Sequence, residues 1–132
     1  MPRHNCDANP VAVTDLGAPP DVAAVRDRYL AFMDEHVYPN ERALAADDEE
    51  LIAELRARAK TEGLWAPHLP PEAGGTGLGF LAYAHLNEVI GRSVHAQLVF
   101  NCQAHDAGNG EILHLFGTPE QKERWLRPLV EG

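Results

Sequence analysis

One stretch of this chain, residues 69–79, is so rich in proline and glycine that no helix or strand can run through it. Pro70 and Pro71 lack amide donors and fix their own backbone angle. The glycines of the stretch are Gly74, Gly75, Gly77 and Gly79. Glycine adopts positive φ at little cost and lets another segment of backbone approach closely. We therefore predict a tight loop here, with helices on either side of it.

The spacing of these glycines partly matches a phosphate-binding pattern, because Gly75, Gly77 and Gly79 alternate with other residues. A dinucleotide fingerprint needs a strand before it and an acidic residue about twenty positions later. Residues 65–68 do not read as a strand, and residues 93–100 contain no acidic side chain. The Gly-Lys-Ser/Thr of a P-loop is also missing. We interpret the loop as a structural turn.

Composition and charge exclude several classes of protein. The 132 residues are 45% hydrophobic, which is enough for one domain with a core. The net charge of −9 argues against nucleic acid or an anionic membrane as the main partner. No apolar run approaches the length of a membrane span. Cys6 and Cys102 lie far apart, so we expect no disulfide framework and a cytoplasmic location.

The apolar residues recur at helical spacing, and no alternating strand pattern occurs. This predicts an all-α fold, an orthogonal or up-and-down bundle of about six helices. Residues 1–20 are polar and proline-containing, which predicts a flexible N-terminal tail. Residues 21–132 are expected to form the helical domain.

Individual residues mark where helices begin, end and pack. Asp21 is predicted as the N-cap of the first helix, and Gly63 as the residue that ends a later one. Residues 118–121 (TPEQ) form a capping-box pattern with proline at the first helical position. Trp65 and Trp125 are predicted to anchor the core.

Glu111 and His114 lie three residues apart on one predicted helix, a spacing that raises the possibility of a metal site. That spacing occurs in di-iron bundles, which need two such pairs and two further glutamates. His85 and Glu88 lie in the reverse order, so a second proper pair is missing. We assign no metal ligand, no cofactor-binding residue and no catalytic residue to this chain.

Three segments along the chain carry a family resemblance when they are taken together. Residues 64–79 (LWAPHLPPEAGGTGLG) contain a Pro-x-x-x-Gly-Gly-x-Gly loop after a helix, and residues 86–91 (LNEVIG) lie in the next helix. Residues 116–126 (FGTPEQKERWL) contain a Gly-x-x-x-Gln-Lys segment. Over residues 22–132, the order and spacing resemble the N-terminal helical domain of the acyl-CoA dehydrogenase family. The sequence is most similar to the long-chain branch of family members 10 and 11.

This resemblance implies a flavoprotein of fatty acid β-oxidation that removes two hydrogens, from Cα and Cβ of an acyl-CoA. Members of the family add a middle β-domain and a C-terminal four-helix bundle to the helical domain. FAD binds mostly between these two further parts, and the bundle supplies the catalytic base. We therefore expect this chain to be an N-terminal domain or fragment of such an enzyme. Alone, it is expected to hold no FAD and to oxidise no acyl-CoA.

The resemblance also implies which residues contact the substrate. The helix around residues 97–104 is expected to form one wall of the acyl pocket. The residues assigned to this wall are Gln97, Phe100, Asn101 and Ala104. The same residues are equally compatible with simple helix packing, and that alternative stays open.

Two positions depart from the family pattern. His105 replaces a usual proline, and Gly110 replaces a large apolar residue, often methionine. A glycine within a helix costs about 1 kcal/mol relative to alanine. Both changes are expected to loosen the pocket wall.

The sequence leaves an alternative to the dehydrogenase fragment. It is a non-enzymatic helical module that binds a partner acyl-CoA dehydrogenase subunit, because a helical domain without its usual neighbours exposes apolar surface. We also expect a homo-oligomer or a partner subunit in the complete enzyme.

Overall fold

The fold was analysed in a computed structural model that describes residues 19–132, so the predicted tail lies outside the described residues apart from Pro19 and Pro20. Within residues 19–132 the chain forms helices, turns and loops and no strand. The all-α prediction is confirmed for this part of the chain. No helix within the same range is both long and apolar enough to cross a membrane.

Short connections join the helices, except at one long loop between Thr61 and Gly79. The first half contains α1 (Pro20–Phe32), a π-helical turn (Met33–Val37), a 3₁₀ turn (Tyr38–Asn40), α2 (Glu41–Leu44) and α3 (Glu49–Thr61). After a long loop with a 3₁₀ turn at Pro71–Ala73, the second half contains α4 (Gly79–Ile90), α5 (Ala96–Val99), α6 (Ala104–Phe116), α7 (Pro119–Gln121), a π-helical turn (Lys122–Leu126) and α8 (Arg127–Glu131).

The predicted helix ends are confirmed at two places and wrong at one. Thr118 and Gln121 form both halves of a capping box at the start of α7. Gly63 follows α3 with a φ of +66°. Asp21 is not the N-cap of α1, because the helix begins one residue earlier at Pro20. Proline is well suited to the first helical position, since its φ is already helical and its missing N–H needs no partner there.

The core is built around the ring of Phe100. Its centroid lies 4.9 Å from the ring of Tyr29 and 5.2 Å from that of Phe32, both on α1. Tyr29 Oη donates a hydrogen bond of 2.7 Å to the carbonyl of Leu64. This cluster fixes α1, the end of α5 and the start of the long loop against one another.

The prediction that both tryptophans anchor the core is confirmed for Trp65 and wrong for Trp125. Trp65 is 6% exposed, whereas Trp125 is 47% exposed and lies beside the guanidinium of Arg124. The π-helical turn at Lys122–Leu126 changes the helical register, and Leu126 faces the core instead.

The glycine-rich loop forms the structural turn predicted for it. The amides of Gly74, Gly75 and Gly77 donate to backbone carbonyls within the loop at 2.9–3.0 Å, so they are not free to bind a phosphate. A side chain on Gly75 would clash with the carbonyl oxygens of Leu69 and Ala66. Close backbone approach is therefore why glycine is required at this position.

Side chains from three segments hold the last helix, α8. Asn101 Nδ2 donates to the carbonyl of Leu129 (3.1 Å), and Trp65 Nε1 donates to that of Val130 (2.8 Å). Lys60 Nζ donates to the carbonyl of Glu131 at 2.5 Å. Carbonyls in the last turn of a helix lack partners within the helix, and here side chains supply them.

Candidate functional site: the cleft between α4 and α6

Two of the four predicted pocket residues lie in the core. Phe100 is fully buried against α1. Asn101 is also buried and has a φ of +55°. Its side-chain amide donates a hydrogen bond to the carbonyl of Leu129 on α8. The carbonyl of Phe100 accepts a hydrogen bond of 2.9 Å from the amide of Ala66. These two residues hold the turn that precedes α6 against α1, the long loop and α8.

The other two predicted residues are more accessible. Gln97 is half-buried on α5, and its carbonyl accepts from the amide of Cys102 at 2.9 Å. Ala104 is exposed at the first position of α6. The structure therefore divides the predicted set between a buried turn and the accessible face of α6.

The accessible face of α6 leads to a cleft. Ala104, Gly108 and Glu111 recur at helical spacing and share one face of the helix. The cleft lies between this face and α4 and has a volume of about 150 Å³. Its lining residues are His68, Phe80, Tyr83, Ala107, Gly108 and Glu111. We define these six residues as the α4/α6 cleft.

None of the cleft residues was among the predicted pocket residues, although one signal was present. Ala104, Ala107 and Gly108 are small residues three and four positions apart, which leaves a groove along a helix. His68 and Tyr83 could not be assigned in the same way, because they meet α6 only through the tertiary fold.

His68 has an unusual environment. Both ring nitrogens are enclosed and have no hydrogen-bond partner among the described residues. Burial lowers the pKa of His68 below its usual value, although the nearby carboxylates of Glu111 and Asp106 act in the opposite direction. The imidazole is therefore neutral at pH 7, with one nitrogen that can donate and one that can accept.

Tyr83 and Cys102 form an uncharged wall beside His68. Burial raises the pKa of Tyr83 to about 12 and that of Cys102 to about 12. Tyr83 lies close to Cys102, and its ring lies 5.9 Å from the ring of His68. Because a nucleophilic cysteine must be a thiolate, this arrangement favours binding over covalent chemistry.

Gly110 lies behind the cleft, against three side chains. A Cβ at this position would lie 3.5 Å from Leu129 Cδ2 and Leu69 Cδ1, and 3.7 Å from His68 Nε2. These are ordinary contact distances, so a methyl group fits. A larger side chain would need the space that the His68 ring fills.

The other unusual position, His105, lies outside this packing. Its side chain is 72% exposed in the first turn of α6, and its Nε2 is 3.6 Å from Asp106 Oδ1. It contributes to the surface of α6.

Glu111 and His114 point to different neighbours. Glu111 lines the α4/α6 cleft, whereas His114 Nε2 lies 3.8 Å from Glu72 Oε1 on the glycine-rich loop. Within residues 19–132, no group of three or more histidine, cysteine, aspartate or glutamate side chains is placed to hold a metal ion.

Comparison with known proteins gives the family. A family model described as "Acyl-CoA dehydrogenase, N-terminal domain" matches residues 19–132. The chain is 42% identical to mouse (Mus musculus) acyl-CoA dehydrogenase family member 10, over 99% of this chain and 13% of that protein. It is 44% identical to chicken (Gallus gallus) acyl-CoA dehydrogenase family member 11, over 76% of this chain and 14% of that protein. The chain thus spans about one-seventh of the length of these relatives.

A solved structure gives the same result. A protein from Mycobacterium abscessus that is assigned to the acyl-CoA dehydrogenases superposes with a TM-score of 0.76 at 43% identity, covering 86% of this chain and 32% of that chain. The helices, their order and the sequence agree with this group of proteins. The chain belongs to the acyl-CoA dehydrogenase family, and residues 19–132 match its N-terminal domain.

Proposed function

We propose that this domain forms one wall of the acyl pocket in an FAD-dependent acyl-CoA dehydrogenase that acts on fatty acyl-CoA thioesters. The observation that carries the proposal is the α4/α6 cleft, which has an aromatic side formed by Phe80 and Tyr83 and a floor formed by Ala107 and Gly108. Small residues on the floor leave room for an alkyl chain, and aromatic rings give it apolar contact.

The predicted pocket residues have two roles in this proposal. In this proposal Ala104, one turn before Gly108 on α6, and Gln97 on α5 are assigned to the entrance of the acyl path. Phe100 and Asn101 are assigned as positioning residues, because they hold the turn that precedes α6 against α1, the long loop and α8.

The described residues do not fit a flavin site. The loop amides that would be suited to a diphosphate already donate to backbone carbonyls. Glu72 on the glycine-rich loop and Glu111 on α6 add negative charge that disfavours a diphosphate. We therefore assign FAD and the catalytic base to other parts of the complete enzyme. The role assigned to this domain is to exclude water from one side of the acyl chain.

The outward face of α6 supports contact with further protein. Ile112, Leu115 and Phe116 are exposed apolar residues on consecutive turns. Exposed apolar groups of this kind are typical of surfaces that another protein covers. In the complete enzyme, the proposed partner is the remainder of the same chain, a second copy or a partner subunit.

The test fills the cleft without disturbing the fold. Gly108 has helical φ, and a Cβ there would meet no atom within 4 Å, so Gly108→Leu places a side chain in the cleft without a backbone clash. We expect the purified chain to bind decanoyl-CoA and Gly108→Leu to weaken binding at least about tenfold, measured by calorimetry, since the added side chain takes the space of the alkyl group.

A matched control separates filling of the cleft from a general effect. Ala57→Leu adds the same side-chain type on an exposed position of α3 and is expected to leave affinity unchanged. Equal affinity of wild type and Gly108→Leu for decanoyl-CoA would overturn the assignment of the cleft to the acyl chain.

A further inference from the structure

His68 is a polar group that residues 19–132 leave without a hydrogen-bond partner. Its ring lines the α4/α6 cleft, and both of its nitrogens are enclosed without a hydrogen bond from the described residues. Buried polar groups in proteins are nearly always hydrogen-bonded, so an unpaired ring at a cleft indicates a missing partner. A histidine retained only for packing would be replaceable by an apolar side chain of similar size.

The surroundings of His68 restrict what that partner can be. Leu69, Leu129 and the bare backbone at Gly110 lie on the α6 side of the ring, and they offer no polar side chain. The ring of Tyr83 lies 5.9 Å away, and its hydroxyl lies near both Cys102 and Asn87. The open direction is the cleft itself, which the His68 ring lines.

We infer that the α4/α6 cleft receives the far end of an acyl chain that carries an uncharged hydroxyl group, and that His68 hydrogen-bonds this hydroxyl. The inference rests on the proposed function of the cleft and names a substrate class for it. Its basis is the enclosed imidazole, without a partner among the described residues, beside the aromatic and small apolar residues of the cleft.

The charges around the cleft favour a hydroxyl over a carboxylate. The Glu111 carboxylate lines the cleft, and Asp106 lies close enough to influence His68. A terminal carboxylate would meet these like charges. A hydroxyl both donates and accepts, which matches the two nitrogens of a neutral imidazole.

A metal ion is a weaker candidate for the same place. His68 and Glu111 would supply two ligands, and metal ions in proteins usually take three or more. No third histidine, cysteine, aspartate or glutamate completes such a group within the described part of the chain. The small cleft volume, about 150 Å³, also suits the last few carbons of a chain.

The test compares three probes of equal length: decanoic acid, 10-hydroxydecanoic acid and decanedioic acid. Binding to the full chain, labelled with ¹⁵N and with ¹³C in the histidine rings, is followed by NMR. We expect 10-hydroxydecanoic acid to bind about fivefold more tightly than decanoic acid, the ratio expected for one net hydrogen bond, and to shift the ring signal of His68. Decanedioic acid is expected to bind most weakly.

Variants assign the preference to His68. His68→Leu should abolish the difference between the first two probes, and His68→Gln, which retains hydrogen-bonding groups, should keep part of it. His105→Leu, at an exposed histidine of α6, should retain the full difference. Thermal melting of each variant checks that the fold is intact.

Two negative outcomes have different meanings. Equal affinity of the two monocarboxylic acids, with α4 and α6 signals shifted by both, would overturn the role of His68 and leave the acyl wall in place. No shift of α4 or α6 by any probe would overturn both the wall and this inference.

Discussion

Helices α3 and α6 are each 13 residues long, yet they expose different kinds of residue to solvent. α3 buries Leu55 and Ala59 and turns charged residues outward, with Arg58 and Glu54 paired at 3.8 Å. α6 buries only Gly110. Its outer face is largely uncharged, and its last turn ends in Phe116, which is 79% exposed.

The difference shows which helix surfaces are suited to water and which are suited to contact with another molecule. A helix that faces water on one side normally has a polar outer face, and α3 follows that pattern. α6 has small residues beside the cleft and large apolar residues beyond it, Ile112 and Leu115 among them. Its outer face is suited to contact with a ligand or with further protein.

The largest expected effect comes from a comparison of a buried phenylalanine with an exposed one. Phe100→Ala removes a fully buried ring from between Tyr29 and Phe32 and should lower the free energy of unfolding by about 3–5 kcal/mol. Phe116→Ala, on the outer face of α6, should change it by less than about 0.5 kcal/mol. Urea unfolding measures both. Similar losses would mean that the outer face of α6 is packed.

A smaller effect is expected at Asn101, which connects the interior to α8. Asn101→Ala removes the hydrogen bond to the Leu129 carbonyl and places alanine at a φ of +55°, so we expect a loss of about 2 kcal/mol. Asn101→Gly removes the same bond but accepts the backbone conformation, and should lose less. Thermal melting compares them. Equal stability of wild type and Asn101→Ala would show that this contact does not hold α8.

The smallest expected effect is on the free energy of unfolding at acidic pH. It tests whether His68, in the α4/α6 cleft, is buried as a neutral ring. Burial lowers the pKa of His68 in the folded state, so below about pH 6.5 the unfolded chain binds more protons at this residue. The free energy of unfolding should therefore fall as pH decreases from 6.5, by less than about 1.4 kcal/mol per pH unit. Urea unfolding between pH 7 and pH 5 measures this slope.

Replacement of His68 separates its contribution from that of the other histidines. His68→Gln should flatten the slope, whereas His105→Gln, at an exposed position, serves as the matched control. An unchanged slope in His68→Gln would show that His68 is not buried as a neutral ring.

Sequence patterns correctly predicted the features that depend on residues close to one another in the chain. The loop at residues 69–79 follows from proline and glycine, and the capping box at residues 118–121 follows from contacts three residues apart. The place of Trp125 did not follow, because a π-helical turn changes the register that regular spacing assumes.

The candidate site depends on longer-range contacts and was predicted only in part. Ala104 was assigned to a pocket wall and lies one turn before Gly108 of the cleft. His68 and Tyr83 come from a loop and a different helix, and they meet α6 only after the fold has formed. The buried position of Phe100 likewise depends on Tyr29, a residue far away in sequence.

The side chains that hold α8 have a consequence for how the protein is made. Lys60, Trp65 and Asn101 leave the ribosome well before the carbonyls that they bind, which belong to Leu129, Val130 and Glu131. Until then these donors stay hydrated, because the carbonyls of α8 that they bind have not yet emerged. We expect a nascent chain arrested before residue 129 to remain sensitive to protease, and one extended until residue 131 has emerged to become resistant.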